Sequence, residues 1–180
     1  MKRIVIVLDA SGSMGDFGKR DETISGFNKW LDDQLALPED GTLVTLIQFN
    51  TERTLVYTDK PLKEVPRLAR DSYAPAGCTA LLDAVAAGAT GAAALCLIVT
   101  DGEENSSHET TLKQVQDLLE TRKKEGWEFH FVGAGPEKWA ERTAAQIGTQ
   151  SSVAFANTGL GIRQAWAYNS SSSASYRAKT

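Results

Sequence analysis

Short runs of apolar residues alternate with longer amphipathic segments along most of the chain. Six runs are rich in β-branched or aromatic residues and short enough to be strands. They are residues 3–8, 43–49, 53–57, 95–100, 127–132 and 151–156. The runs at 3–8 and 95–100 are apolar at nearly every position, which is typical of central strands in a parallel sheet that helices cover on both faces.

The segments between these runs have the three- or four-residue spacing of amphipathic helices. They are Ile24 to Leu35 and residues 80–89, 112–119, 137–147 and 159–168. Ser106 and Glu109 have the spacing of a capping box, which predicts that the third helix begins there. Residues 169–180 are rich in serine and have no apolar face, so we predict a flexible tail.

The alternation of strands and helices predicts an α/β fold, a three-layer, doubly wound and mostly parallel sheet of six strands. Only residues 50–52 separate the second strand from the third. Because this connection is too short for a crossover helix, we predict an antiparallel hairpin. A chain of 180 residues is long enough for one core and short for two, so we predict a single domain over residues 1–168.

Composition and charge limit the classes of partner. The formal net charge is −4, and the chain lacks the clustered Lys and Arg residues that nucleic acid requires. The apolar run that begins at residue 4 ends at Asp9, before it reaches the length of a secretion signal or a membrane span. Two cysteines, Cys78 and Cys96, cannot build a disulfide framework. We therefore expect a cytoplasmic protein with neither a nucleic acid nor a membrane as partner.

Oxygen-bearing side chains follow the ends of two predicted strands and precede one predicted helix. They are Asp9, Ser11 and Ser13 in DASGS, Thr79 in GCTAL, and Asp101 in TDGEEN. In doubly wound folds the ligand site lies at the carboxyl ends of the strands, so we expect these side chains to lie close together. Two carboxylates and three hydroxyls form a hard-oxygen donor set, which suits Mg²⁺, Mn²⁺ or Ca²⁺ better than zinc.

These three segments together resemble the metal-ion-dependent adhesion site of von Willebrand factor A (vWA) domains. The family's DxSxS, GxTAL and TDG motifs occur here in the family's order, at residues 9–13, 77–81 and 100–102. The resemblance covers about residues 3–168. It implies the strand order 3-2-1-4-5-6, with strand 3 as an antiparallel edge. The connection at residues 90–94, between the predicted helix and the next strand, is short. In this respect the chain resembles small stand-alone members of the family from bacteria or phages.

The resemblance also implies how the site works. It implies that Ser11, Ser13 and Thr79 are hydroxyl ligands of the ion, and that Asp9 and Asp101 bind it directly or through water. In this family the ion's open position accepts an Asp or Glu carboxylate of a partner protein. We therefore expect a metal-dependent protein-binding module that is not an enzyme.

Two alternatives stay open. Several cytoplasmic relatives are adaptors of AAA+ ATPases or subunits of metal-chelatase assemblies, so an AAA+ ATPase is an alternative partner. A Mg²⁺-dependent phosphohydrolase is a second alternative, with Asp9 as the nucleophile and Asp101 holding the ion. Enzymes of the haloacid-dehalogenase type need a second acid two residues after the nucleophile, and Ser11 occupies that position here.

Overall fold

The computed structural model describes residues 1–179, apart from the side chain of Glu137. A six-stranded sheet forms its middle layer. The strands are β1 (Arg3–Asp9), β2 (Leu43–Phe49), β3 (Arg53–Pro61), β4 (Leu95–Thr100), β5 (Glu128–Ala134) and β6 (Ser151–Phe155). Their spatial order is β3-β2-β1-β4-β5-β6, and β3 is antiparallel to β2 while the other neighbours are parallel. The predicted strand order and edge hairpin are confirmed.

Five helices cover the sheet in the described part of the chain. They are α1 (Lys19–Leu35), α2 (Leu81–Gly88), α3 (Leu112–Lys124), α4 (Glu137–Ile147) and α5 (Gly159–Arg177). One face of the sheet packs against α1 and α5, and the other packs against α2, α3 and α4. Strand β1 sends Ile4 and Ile6 into the first core and Val5 and Val7 into the second. Burial on both faces explains why this strand is apolar at every position from 4 to 8.

The start of α3 differs from the prediction. Thr111, not Ser106, is the N-cap residue, and its hydroxyl accepts a hydrogen bond from the N–H of Gln114 at 3.3 Å. The Gln114 side chain in turn accepts the N–H of Thr111 at 2.8 Å. The chain between Asp101 and α3 is therefore a longer loop than the sequence predicted. None of the helices within residues 1–179 combines the length and the apolar character needed to cross a membrane.

The end of the chain also differs from the prediction, because α5 continues to Arg177 and residues 169–177 are helical. Polar contacts with α1 and the segment after it hold this part of the helix. The indole N–H of Trp30 donates to the Ser173 hydroxyl at 2.9 Å. The Arg177 guanidinium donates to both oxygens of Asp40, at 2.8 and 3.0 Å. Serines that pack by hydrogen bonding leave no apolar pattern, so apolar periodicity did not indicate that the helix continues to Arg177. Thr180, the last residue of the predicted tail, lies outside the described residues.

Candidate metal centre

The connections that leave β1 and β4 turn to opposite faces of the sheet, β1 leading to α1 and β4 leading to α3. A crevice therefore opens between the carboxyl ends of these two strands. Backbone hydrogen bonds join the three predicted segments there. The N–H of Gly12 donates to the carbonyl of Gly77 at 3.0 Å, and the N–H of Asn105 donates to the carbonyl of Thr79 at 3.0 Å. The Asn105 side chain accepts the N–H of Thr79 at 2.9 Å.

Four of the predicted site residues lie close together beside Gly102, which follows Asp101. The Ser13 hydroxyl donates to Oδ1 of Asp101 at 2.6 Å, and the Oγ atoms of Ser11 and Ser13 are 3.3 Å apart. A Cβ atom placed on Gly102 would lie 3.2 Å from Oγ1 of Thr79 and 3.9 Å from Oγ of Ser13. The structure thus brings all three hydroxyls and the Asp101 carboxylate together, and glycine at position 102 leaves the space between them open.

Asp9 forms the floor of this site and is fully buried. Its Oδ1 accepts the N–H of Ser11 at 2.7 Å, and its Oδ2 accepts the Thr100 hydroxyl at 2.6 Å. Burial raises the pKa of Asp9 to about 6, and the charge of Asp101 acts in the same direction. The hydrogen bonds from Ser11 and Thr100 lower the pKa and limit the rise. Asp9 therefore changes its charge close to neutral pH.

A lysine that the motifs did not predict completes the cluster. Lys19 is the first residue of α1 and only 1% exposed. Its ammonium donates to Oδ2 of Asp101 and, at 2.8 Å, to Oδ1 of Asn157. Asp101 therefore accepts Ser13 on one oxygen and Lys19 on the other. With both aspartates ionised, the three charged groups carry one net negative charge.

The turn before α1 explains how Lys19 reaches the site. Phe17 and Gly18 both have a positive φ, 51° and 75°. This left-handed conformation costs glycine little but is unusual for phenylalanine. It leaves Phe17 80% exposed, with its ring centroid 6.0 Å from the Lys19 ammonium. Motif spacing contains no information about such a turn, so sequence reasoning missed Lys19.

Two other carboxylates near the motifs hold the loop that follows Asp101. Glu104 accepts the N–H groups of Leu82 and Ser106, each at 2.9 Å. Asp83 accepts the N–H of Thr110 at 2.7 Å. These contacts fix the loop against the start of α2, whose first turn follows Thr79. Glu104 and Asp83 thus support the position of the cluster from outside it.

The donor set of the cluster fits a hard divalent cation. Across residues 1–179, no three His, Cys, Asp or Glu side chains gather into a metal-binding group. The cluster instead combines two carboxylates with three hydroxyls, and such oxygen donors suit Mg²⁺ and Ca²⁺. Two oxygens that bind one Mg²⁺ at right angles, each at about 2.1 Å, lie about 3 Å apart. The 3.3 Å between the Oγ atoms of Ser11 and Ser13 is close to this separation.

Comparison with known proteins agrees with this architecture. The PilB minor pilin of Streptococcus sanguinis has a TM-score of 0.71 at 13% identity, over 98% of this chain and 62% of the pilin. The protein BatB of Bacteroides thetaiotaomicron has a TM-score of 0.64 at 15% identity, over 99% of this chain and 100% of BatB. A von Willebrand factor type A protein of Catenulispora acidiphila has a TM-score of 0.64 at 15% identity, over 94% of this chain and 42% of that protein.

At these identities the structural likeness shows the fold alone, and this chain spans less than two thirds of the pilin's length. No curated protein matches the sequence significantly. The family model of the von Willebrand factor type A domain matches residues 4–161. Because this match covers most of the sequence, the chain belongs to the von Willebrand factor type A domain family.

Proposed function

We propose that this protein is a metal-dependent protein-binding module without enzymatic activity. Asp9, Ser11, Ser13, Thr79 and Asp101 would hold a divalent cation, Mg²⁺ or alternatively Mn²⁺ or Ca²⁺. The bound ion would supply a positive charge and an open coordination position for an Asp or Glu carboxylate of a partner protein. The observation that carries this proposal is that three hydroxyls and the Asp101 carboxylate lie close together beside Gly102.

The charge of the site supports a requirement for the cation. Asp9 and Asp101 together outweigh the single ammonium of Lys19, so a partner's carboxylate would meet net repulsion at the metal-free site. A divalent ion would reverse the sign of the net charge. Because Coulomb interactions are strong where water is excluded, this reversal would decide whether an acidic side chain binds.

Two features of the surface beside the site offer the partner further contacts, an exposed aromatic ring and a polar groove. Phe17 lies next to Lys19 and is 80% exposed. Exposed aromatic residues often carry much of the free energy of protein association. A polar groove of about 260 Å³ is lined by Ala10, which follows Asp9 in the chain, and by Glu52 and Asp71. We propose a partner segment in which a basic residue, placed in this groove, lies near the acidic residue that binds the ion.

The environment of Asp9 argues against the phosphohydrolase alternative. A nucleophilic carboxylate needs an oxygen that a whole phosphoryl group can approach in line, whereas a carboxylate that helps to hold a metal ion can act through a bridging water. Both oxygens of Asp9 accept hydrogen bonds inside the protein, from Ser11 and from Thr100, and the residue has no exposed surface. An adaptor role for an AAA+ ATPase uses the same binding chemistry and differs only in the identity of the partner.

The proposal is tested by direct titration and by capture of partners. Mn²⁺ binding to the whole chain is measured calorimetrically. In a second experiment, proteins from a lysate of the source cells are captured on the immobilised chain in Mg²⁺ and then eluted with EDTA. We expect the wild type to bind Mn²⁺ and to release its partners in EDTA, and Thr79→Ala to lose both properties.

Thr90→Ala, which removes an exposed threonine beyond the other end of α2, is the matched control and should match the wild type. Partners that stay bound in EDTA, or a wild type that does not bind Mn²⁺, would contradict the proposal.

A further inference from the structure

Lys19 is an unusual residue for the place it occupies. Removing an ammonium from water costs several kcal/mol unless partners replace the water. As the first residue of α1, Lys19 also lies at the positive end of the helix dipole, which disfavours a cation. Asp101 and Asn157 are the partners that hold it, and the centroid of the Phe17 ring lies 6.0 Å from the ammonium.

The contact between Lys19 and Asp101 connects this lysine to the proposed metal site. Asp101 has two carboxylate oxygens, and the Lys19 ammonium occupies Oδ2 while the Ser13 hydroxyl occupies Oδ1. A divalent ion at the hydroxyls of Ser11, Ser13 and Thr79 would lie within a few ångströms of that ammonium. The two cations would share the negative charge of Asp101 and repel each other.

We propose that Lys19 is a built-in counter-cation of this site, which neutralises Asp101 in the metal-free protein and competes with the divalent ion for that carboxylate. This inference rests on the proposed metal site and adds a residue that sets its affinity. The lysine makes the metal-free protein tolerate a buried Asp101, and it weakens binding of the ion relative to the same oxygen donors alone.

The size of the effect follows from the short distance. A charge about 4–6 Å away changes the proton affinity of a group by about 10- to 1000-fold. A divalent ion carries twice the charge of a proton and lies in the same partly dry environment. We therefore expect removal of the Lys19 charge to tighten Mn²⁺ binding by at least about tenfold.

The experiment compares Mn²⁺ affinity across three variants of the whole chain, with free Mn²⁺ measured by electron paramagnetic resonance at pH 7.5. Lys19→Gln and Lys19→Met both remove the charge. The glutamine variant also keeps a hydrogen-bond donor for Asp101, so it provides the measurement if the methionine variant does not fold. Lys29→Met removes an exposed lysine of the same helix and is the matched control. Circular dichroism verifies that each variant is folded.

We expect tighter Mn²⁺ binding by the folded Lys19 variants and wild-type affinity for Lys29→Met. Unchanged or weaker binding would overturn the inference, because a lysine that only supports the fold cannot oppose the ion. Binding by a Lys19 variant but not by the wild type would support the inference and contradict the proposed metal-dependent function. Binding by neither would overturn both.

Discussion

Replacement of Asp9 by asparagine should stabilise the metal-free protein while it disables the proposed metal site. The wild-type carboxyl is fully buried, and its burial raises its pKa to about 6. Asparagine has nearly the same shape, and its side-chain oxygen can still accept the N–H of Ser11. Its amide nitrogen would face the hydroxyl of Thr100, which has the Gly102 carbonyl 3.3 Å away as an alternative acceptor. The substitution therefore removes the charge with little loss of hydrogen bonding.

The magnitude follows from the difference between the folded and unfolded pKa of Asp9, about 6 against the ordinary 3.8. Each pKa unit corresponds to about 1.4 kcal/mol, so ionisation of Asp9 costs the folded protein about 3 kcal/mol above pH 6. Because the folded pKa is the higher one, the folded protein binds this proton more tightly than the unfolded chain. The stabilisation of the folded protein by this proton is complete below pH 3.8 and is lost as the pH rises through 6.

Urea unfolding in EDTA at pH 4 and pH 7.5 measures this effect. Asp9→Asn should exceed the wild type by about 1–3 kcal/mol at pH 7.5 and should come close to it at pH 4. Asp71→Asn, which removes an exposed carboxylate near the same edge of the sheet, is the control. An Asp9→Asn variant whose advantage does not grow between the two pH values would refute the reasoning.

The same carboxyl should make metal binding depend on pH. Under the proposed function, only the ionised form of Asp9 can help to hold a divalent cation. Mn²⁺ should therefore stabilise the wild type at pH 7.5 but not Asp9→Asn. Below pH 6 the wild-type affinity should fall by up to about tenfold per pH unit, since the ion must displace the proton. Mn²⁺ affinity that is constant from pH 7.5 to pH 5 would contradict a role for Asp9.

Two further predictions concern the contact between α1 and α5. Arg177→Met should lower the free energy of unfolding by about 2–4 kcal/mol, because it leaves Asp40 and the carbonyl of Gln34 without their buried donor. Urea unfolding measures this change. Arg142→Met, which removes an exposed arginine, is the control and should change the free energy little. Gly26→Ala should cost about 1–2 kcal/mol despite alanine's higher helix propensity, because the new Cβ would overlap the side chain of Trp166. Stability equal to the wild type would contradict this and would show that α5 can shift.

The sheet was predictable because its strands bury side chains on a regular pattern. Residues 4–8 and 95–99 are buried without interruption, and such runs are readable from composition alone. The hairpin between β2 and β3 followed from the three residues that connect them. The same kind of reasoning failed for residues 169–177, where Ser173 and Arg177 pack through hydrogen bonds. Apolar periodicity cannot detect a helix face that is buried by polar contacts.

The candidate site was also predictable only in part. Motif spacing identifies Ser11, Ser13 and Asp101 because the ends of the neighbouring parallel strands β1 and β4 must meet. Thr79 precedes a helix and was predicted from its motif. The structure brings these side chains together. The same spacing contains no information about the charge balance at that point. This balance depends on Lys19, which arrives through the left-handed turn at Phe17 and Gly18. Under the proposed competition between Lys19 and the ion, two domains with identical motifs would differ in their affinity for the same ion, because residues outside the motifs determine how much of the negative charge of Asp101 is already neutralised.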